Sequence, residues 1–180
     1  MASGGHDKKT RLYLGVDVGG TKILAALAEE SGTVLARQRG ATPREGGPEQ
    51  VLAAIEKLIE QVLAEQRLKP ADLTAVGVAV PGVVDPKTGR VAVTPNMSLT
   101  GVNLGRHLEG RFHMPVVLGN DCNLGALGEA WLGSARNASS VFGILVGTGI
   151  GGGLVRKGKL WRGAREAATE IGHIVMKIEG

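Results

Sequence analysis

Residues 11–22 read RLYLGVDVGGTK, and this short stretch governs how the rest of the chain is interpreted. Its first part is apolar and β-branched enough for a buried strand, and that strand stops at two glycines. Residues 140–153, SVFGILVGTGIGGG, follow the same plan, because a strand-like run again ends in a glycine turn. The recurrence predicts one α/β domain followed by the start of a second, related domain.

The first glycine turn belongs to a predicted three-stranded meander over residues 11–40, with another turn at Ser31-Gly32. TKILAALAEE, residues 21–30, is ambiguous on its own because its alanines would also serve a helix. Two strand-like runs on either side of a short turn favour a hairpin. Apolar residues then recur at three- and four-residue spacing from Pro48 to Leu68, which predicts an amphipathic helix.

The remaining chain alternates between strand-like and helix-like segments. The predicted segments are a buried strand at 73–80, a loop-rich region at 83–103, a short helix at 104–110, a strand at 115–119, a helix at 123–132, a strand at 140–146 and a hairpin that turns at Lys157-Gly158. This order is typical of an α/β domain with a mixed sheet. We place a disordered leader at 1–10, the N-terminal domain at 11–121, and the beginning of a second, incomplete domain at 122–180.

Composition excludes several classes of function. The net charge is +4, but the Lys and Arg residues are scattered and aromatic residues are only 3%, so we expect no nucleic-acid partner. No segment approaches the roughly 18 uninterrupted apolar residues of a membrane span, and the first ten residues lack the apolar part of a secretory signal. The single cysteine rules out an intramolecular disulfide. We therefore expect a soluble cytoplasmic protein.

The two glycine-rich segments are the first candidates for chemistry. In Asp17-Val18-Gly19-Gly20-Thr21-Lys22 the glycines would let the backbone approach a phosphate, and Asp17 could hold Mg²⁺ through water. The alternative is a tight turn with an exposed aspartate. The segment 147–153, GTGIGGG, contains G-x-G-x-x-G, but strand-like residues follow it where a dinucleotide fold needs a helix. No P-loop motif occurs.

A third candidate is GNDCN, residues 119–123, where an apolar run meets a helix-like pattern. Asp121 could be a helix cap, a catalytic base, or both. Cys122 could be a nucleophile, but the local sequence shows no base or cation that would activate it, so a small buried residue is the favoured interpretation. For His173 a structural role and a ligand role both stay open.

Two glycine-bearing hairpins in two similar units suit a nucleotide held between domains. At this point the chain resembles the actin, Hsp70 and hexokinase superfamily, and more closely the ROK family of sugar kinases and sugar-sensing repressors, with glucokinase-type members nearest. The supporting motifs stand in the expected order and are GVDVGGTK (15–22), GVAVPGVVD (77–85), TPN (94–96), GND (119–121), GTGIGGG (147–153) and EIGH (170–173).

The resemblance implies a ribonuclease H-like fold, that of the actin-like ATPases, and a role for each matching residue. The implied contacts to ATP phosphates are Gly19, Gly20, Thr21, Lys22, Gly147, Thr148 and Gly149. The implied contacts to sugar hydroxyls are Gly82, Asn96, Asn120, Asp121, Glu170 and His173. Asp17 would serve the magnesium ion, and Asp121 would accept the proton of the attacking hydroxyl. Carboxylates and amides suit a ring of hydroxyls, which both donate and accept hydrogen bonds.

The function implied is ATP-dependent phosphorylation of a hexose, with glucose giving glucose 6-phosphate as the leading candidate, by a protein that is a homodimer in its full-length form. A sugar-sensing transcriptional regulator of the same family is the first alternative. Such regulators carry a helix-turn-helix domain ahead of the first hairpin, and a first strand near residue 11 leaves no room for one. A non-catalytic fragment that binds sugar or nucleotide is the second alternative.

The chain also departs from the family pattern. Members usually carry a cysteine-rich zinc motif soon after the histidine of EIGH, and this chain ends at Gly180 before any such motif. His173 would then be a ligand of a structural Zn²⁺ whose partners are absent from the chain. Glu166 and Thr169 stand where glycines are common. We expect the chain to be a fragment of a longer protein.

Overall fold

The structure is a computed structural model that describes residues 10–95, 97–147, 149–164 and 168–174. In chain order its elements are β1 (Leu12–Val18), β2 (Lys22–Glu29), β3 (Val34–Ala41), α1 (Gly47–Glu65), β4 (Ala75–Val80), β5 (Val83–Asp85), β6 (Arg90–Val93), α2 (Leu104–Phe112), β7 (Val116–Asn120), α3 (Asp121–Trp131), β8 (Ser140–Val146), β9 (Ile150–Arg156) and β10 (Lys159–Leu160). Short 3-10 turns cover Pro70–Asp72 and Ile171–His173.

The larger sheet has five strands in the order β3-β2-β1-β4-β7. The first three strands form an antiparallel meander, whereas β1, β4 and β7 run parallel. The register aligns Asp17 with Ala79, and Ala79 with Gly119. Because parallel strands end at the same edge of a sheet, the residues that follow β1, β4 and β7 lie beside one another.

One face of this sheet is covered by α1 and α2. Alternate residues of β1 point toward the helices, and Leu14, Val16 and Val18 are almost completely buried, while Gly15 and Asp17 between them stay accessible. The apolar stripe of α1 is equally buried and comprises Val51, Ile55, Leu58, Ile59, Val62 and Leu63. The buried side chains of the sheet and of α1 pack against each other and form the main core.

A second, three-stranded sheet has the order β10-β9-β8 and packs against α3. In the part of the chain that the structure describes, β8 is an edge strand. Its outward side chains are exposed: Phe142 is 50%, Ile144 58% and Val146 76% accessible. A third pair, β5 and β6, forms a small separate hairpin.

Most of the predicted elements are confirmed. The meander, the long helix, the strand before Pro81 and the hairpin at Lys157-Gly158 are all present, and the ambiguous segment 21–30 forms β2. The prediction of a loop-rich region at 83–103 is wrong where β5 and β6 pair. The sequence did not reveal these strands because they are short and lack a clear alternation of apolar and polar residues. The division at 121/122 stays a prediction. No helix in the described ranges is long and apolar enough to cross a membrane.

The prediction for the glycine-rich segment 147–153 needs the largest correction. The sequence predicted a glycine turn throughout 147–153, but β9 begins at Ile150 and pairs with β8 from Val146↔Ile150 onward. Glycine weakens a strand but does not prevent it, and cross-strand pairing decides the conformation here.

We expect Ile55→Ala to lower the free energy of unfolding by about 2–5 kcal/mol, because it removes a completely buried side chain from the face of α1 that meets the sheet. The matched change Ile144→Ala, at an exposed position of β8, should cost under about 1 kcal/mol. Urea denaturation of both variants measures the difference. Equal losses would contradict the assignment of the core.

Candidate active site

The turn after β1 is held in place from a neighbouring strand. The amide of Gly19 donates to the carbonyl of Lys22 at 2.9 Å and closes the turn. Thr42, just after β3, donates its hydroxyl to the carbonyl of Gly19 at 2.6 Å and its amide to the carbonyl of Thr21 at 3.1 Å. Thr42 is buried, and sequence reasoning missed it because nothing local marks a threonine that acts across a sheet.

Asp17 lies on the open face of the sheet, one residue before the end of β1. Crowding of its carboxylate by surrounding protein raises its pKa, the negative charge of Asp121 raises it further, and the positive charge of Lys22 lowers it. The residue as a whole stays accessible, so the loss of water contact is confined to its carboxylate group. The fold therefore brings Asp17, Lys22 and Asp121, predicted from separate motifs, within electrostatic range of one another.

Asn120 and Asp121 form the junction between β7 and α3. The side-chain oxygen of Asn120 accepts from the amide of Asn123 at 3.0 Å and caps the helix. Its side-chain nitrogen lies 3.0 Å from the carbonyl of Gly82 and 3.1 Å from Oδ1 of Asp121. Oδ1 of Asp121 also accepts from the amide of Cys122 at 2.8 Å. Asn120 is therefore the residue that caps α3. The carboxylate of Asp121 is oriented by two hydrogen-bond donors, the side chain of Asn120 and the amide of Cys122.

Gly82 occupies a position that only glycine fits. Its φ is +92°, in the left-handed region, and a Cβ there would lie 2.2 Å from the carbonyl oxygen of Val93. Through its own carbonyl it fixes the amide of Asn120. The structure therefore connects the turn after β4 to the end of β7 by a direct hydrogen bond.

Cys122 follows Asp121 and is partly buried. Burial, the charge of Asp121, a hydrogen bond with Asp121 and the charge of Glu170 together raise its pKa to about 11. The side chain is therefore a neutral thiol near pH 7, which agrees with a packing role and not with an activated nucleophile. Glu170 itself precedes the 3-10 turn at Ile171–His173.

Glu170 and His173 lie together at that turn. His173 Nε2 is 3.9 Å from a carboxylate oxygen of Glu170, and the histidine side chain is 85% accessible. Thr169 just before them has a φ of 70°, which is strained for a β-branched residue. Its hydroxyl donates to the carbonyl of Gly152 at 3.0 Å. The strained backbone is a physical reason why glycine would suit position 169.

Gly147 and Gly149, which follow β8 and precede β9, have open space around them. The amide of Gly147 donates to the carbonyl of Gly149 at 2.8 Å, and a Cβ added at either residue would have no neighbour within 4 Å. Their backbone is therefore accessible to a ligand. Gly151 to Gly153 differ, because a Cβ at each would collide with neighbouring atoms.

Some predicted residues and ions are not placed. Asn96, Thr148 and Glu166 lie outside the described residues. Within those described, no group of three or more His, Cys, Asp or Glu residues could hold a metal ion. The Asp17 carboxylate nevertheless suits a Mg²⁺ ion, which commonly takes one or two carboxylates and completes its shell with phosphate and water. A cation there would offset the repulsion that raises the pKa of Asp17. Among the described residues, His173 has no comparable set of ligands.

Comparison with known proteins gives consistent results. A family profile described as "ROK family" matches residues 13–180. The glucokinase of Halalkalibacterium halodurans is 34% identical over 170 residues, which are 94% of this chain and 52% of that protein. A putative xylose repressor from Caldicellulosiruptor sp. is 31% identical over 170 residues, covering 94% of this chain and 43% of the repressor.

Among solved structures, a ROK family glucokinase from Streptomyces griseus in complex with glucose and AMPPNP is 36% identical. It superposes with a TM-score of 0.80 over 91% of this chain and 50% of its own. The α/β, actin-like fold expected from the sequence is thereby confirmed. The chain spans about half the length of the curated relatives it matches.

We expect the thiol of Cys122 to react with iodoacetamide roughly 100-fold more slowly at pH 8 than in the unfolded chain, because a pKa near 11 lies two units above the ordinary value of 9.0. The rate should still rise about tenfold per pH unit between pH 9 and 10, whereas the urea-unfolded chain levels off there. A folded-state profile that also levels off near pH 9 would contradict the raised pKa.

We expect Asp121→Asn to lower the pKa of Asp17, because it removes a neighbouring negative charge, and Lys22→Met to raise it. Carboxyl ¹³C NMR during a pH titration measures both shifts. Because the folded state holds this proton more tightly than the unfolded chain, Asp17 favours folding only at acid pH, and that contribution is lost as pH rises through its folded pKa. If neither variant moves the pKa, the two carboxylates are not neighbours.

Proposed function

The chain belongs to the ROK family, and from that premise we propose that the protein, in its full natural length, transfers a phosphoryl group from ATP to a hydroxyl of a hexose. Glucose, giving glucose 6-phosphate, is the first candidate substrate, since a glucokinase is among the relatives. The observation that carries the proposal is the oriented Asp121 carboxylate beside Asp17 and the first glycine turn.

Asp121 is the proposed base. Both of its described hydrogen bonds fall on Oδ1, and we assign Oδ2 to the hydroxyl of the sugar. A carboxylate fixed at a strand–helix junction can accept the proton as the hydroxyl attacks phosphorus. Phosphoryl transfer needs such positioning and charge neutralisation more than covalent chemistry.

The two glycine turns are the proposed ATP phosphate site. The first consists of Gly19, Gly20, Thr21 and Lys22, and the second of Gly147, Thr148 and Gly149. The open backbone at Gly147 and Gly149 supports this assignment, as does the rigid attachment of the first turn to Thr42. Asp17 would hold Mg²⁺, which when bound supplies positive charge to the phosphate oxygens.

The proposed sugar contacts are Gly82, Asn96, Asn120, Asp121, Glu170 and His173. Asn120 and Asp121 share a hydrogen bond, and Glu170 lies near enough to affect the thiol beside them. Two carboxylates and an amide can bind adjacent hydroxyls as donors and acceptors. Gly82 would contribute mainly by orienting Asn120 through its carbonyl.

A sugar-sensing transcriptional regulator is the second candidate function, because a putative xylose repressor shares 31% identity with this chain. The same sugar-binding residues would serve it without phosphoryl transfer. A non-catalytic sugar- or nucleotide-binding fragment is the third. Domain limits at 11–121 and 122–180, a homodimer, a cytoplasmic location and a structural Zn²⁺ at His173 accompany the kinase proposal as further parts of it.

We expect Asp121→Ala to lower kcat for hexose phosphorylation by ~10²–10⁴-fold, because the general base is removed. The measurement is ATP-dependent phosphorylation over a panel of hexoses by the full-length protein. Asp72→Ala, at an exposed aspartate on the 3-10 turn after α1, is the matched control and should stay within a few-fold of the parent.

Phosphorylation by Asp121→Ala within a few-fold of the parent would show that Asp121 is not the base. A parent protein that binds sugar by calorimetry but phosphorylates none of the panel would instead favour the regulator or the binding fragment. Unchanged thermal unfolding of Asp121→Ala would confirm that the variant is folded in either case.

A further inference from the structure

The three consecutive glycines of β9 are in contact with neighbouring segments on both faces of the strand. A Cβ at Gly151 would lie 2.2 Å from the Sγ of Cys122, and one at Gly153 would lie 2.9 Å from the carbonyl oxygen of Cys122. A Cβ at Gly152, on the opposite face, would lie 2.7 Å from the carbonyl oxygen of Thr169. Helix α3 therefore lies directly against one face, and the segment leading to Glu170 against the other.

Glycines outside the three-glycine run also allow close packing on each side of the smaller sheet. Gly143 on β8 meets α3 as well, since a Cβ there would lie 2.8 Å from the Cβ of Ala126. On the other side a Cβ at Gly172 would lie 2.1 Å from the carbonyl oxygen of Ile150. Glycine in a strand interior costs stability and often marks a site where another backbone comes close. Both segments have approached β9 as far as backbone atoms allow.

This packing separates the glycines of GTGIGGG into two groups. Gly147 and Gly149 have open space around them, whereas Gly152 and Gly153 are buried in the middle of a paired strand. Buried glycines enclosed by protein atoms on each side cannot contact a phosphate. Their role therefore concerns the two segments that pack against them, α3 and the segment leading to Glu170.

We propose that Gly151, Gly152 and Gly153 are positioning residues that fix the separation between Asp121 and Glu170. The first turn of α3 carries Asp121, the segment at 169–173 carries Glu170, and the three-glycine part of β9, which has no side chains, lies between their supports. Close-packed atoms do not compress, so the thickness of β9 sets this distance. The inference rests on the proposed function for the roles of the two carboxylates.

The two faces of β9 have different kinetic consequences. At Gly151 an added methyl group would lie 2.2 Å from Sγ of Cys122, whereas ordinary contact needs about 3.4 Å, so either the thiol turns away from its hydrogen bond with Asp121 or the start of α3 is displaced together with Asp121. We expect Gly151→Ala to lower kcat roughly 10²-fold with sugar KM within a few-fold, because a displacement of this size misaligns the base. Gly152→Ala displaces Thr169 and should instead raise sugar KM roughly tenfold.

Cys122→Ala provides the test by rescue. It removes the sulfur at 2.2 Å and leaves the Cβ at 3.1 Å, so the double variant Cys122→Ala/Gly151→Ala should recover most of the lost kcat. The same change cannot rescue Gly152→Ala, which collides on the other face. Gly128→Ala is the matched control, because it adds a methyl group to α3 where no atom lies within 4 Å. Steady-state kinetics of the full-length protein with ATP and its preferred hexose measure all of these variants, including the double variant Cys122→Ala/Gly152→Ala.

The inference is overturned if Gly151→Ala and Gly152→Ala match Gly128→Ala in both kcat and KM, or if Cys122→Ala leaves the kcat of Gly151→Ala unrepaired. Thermal unfolding gives an independent readout should the parent phosphorylate no hexose. Gly151→Ala should lower Tm by roughly 5 °C and Cys122→Ala should restore most of it. Additive Tm changes would refute the contact, while an inactive parent with non-additive changes would refute only the proposed function.

Discussion

The parallel pairing of β1, β4 and β7 is the constraint on which the candidate site depends. These strands come from distant parts of the chain, yet their register brings Asp17, the turn at Gly82 and the Asn120-Asp121 junction to one edge of the sheet. A slip of one residue in this register would turn every side chain of the slipped strand to the opposite face. The buried apolar side chains of the core therefore also fix the position of the polar residues.

Helix α3 connects this edge to the rest of the molecule at both of its ends. Asn120 caps the start of the helix and binds the carbonyl of Gly82, while Leu132 at its end lies against the turn between β2 and β3. At that turn a Cβ on Gly32 would come within 2.2 Å of a Leu132 methyl group. Contacts at both ends restrain the helix against the sheet, which suits a carboxylate that must keep its direction.

Local patterns in the sequence were enough to predict the elements and the motifs, but not the contacts between them. GND could be interpreted from its neighbours, because an apolar run that ends before a helical pattern places Asp121 at a junction. The support of Gly19 by Thr42 could not, since it joins residues 23 positions apart through a sheet pairing. The glycines of β9 were equally hidden, because a residue without a side chain carries no hydrophobic alternation.

The exposed side of β8 affects how this chain behaves in solution. Phe142, Ile144 and Val146 project from the edge strand of the smaller sheet in the described part of the chain. An apolar edge offers unpaired N–H and C=O groups on which a strand of another molecule can add. Strand addition, where copies of this chain associate, is therefore expected to begin at β8. A net charge of +4 opposes that association, and salt, by screening the charge, promotes it.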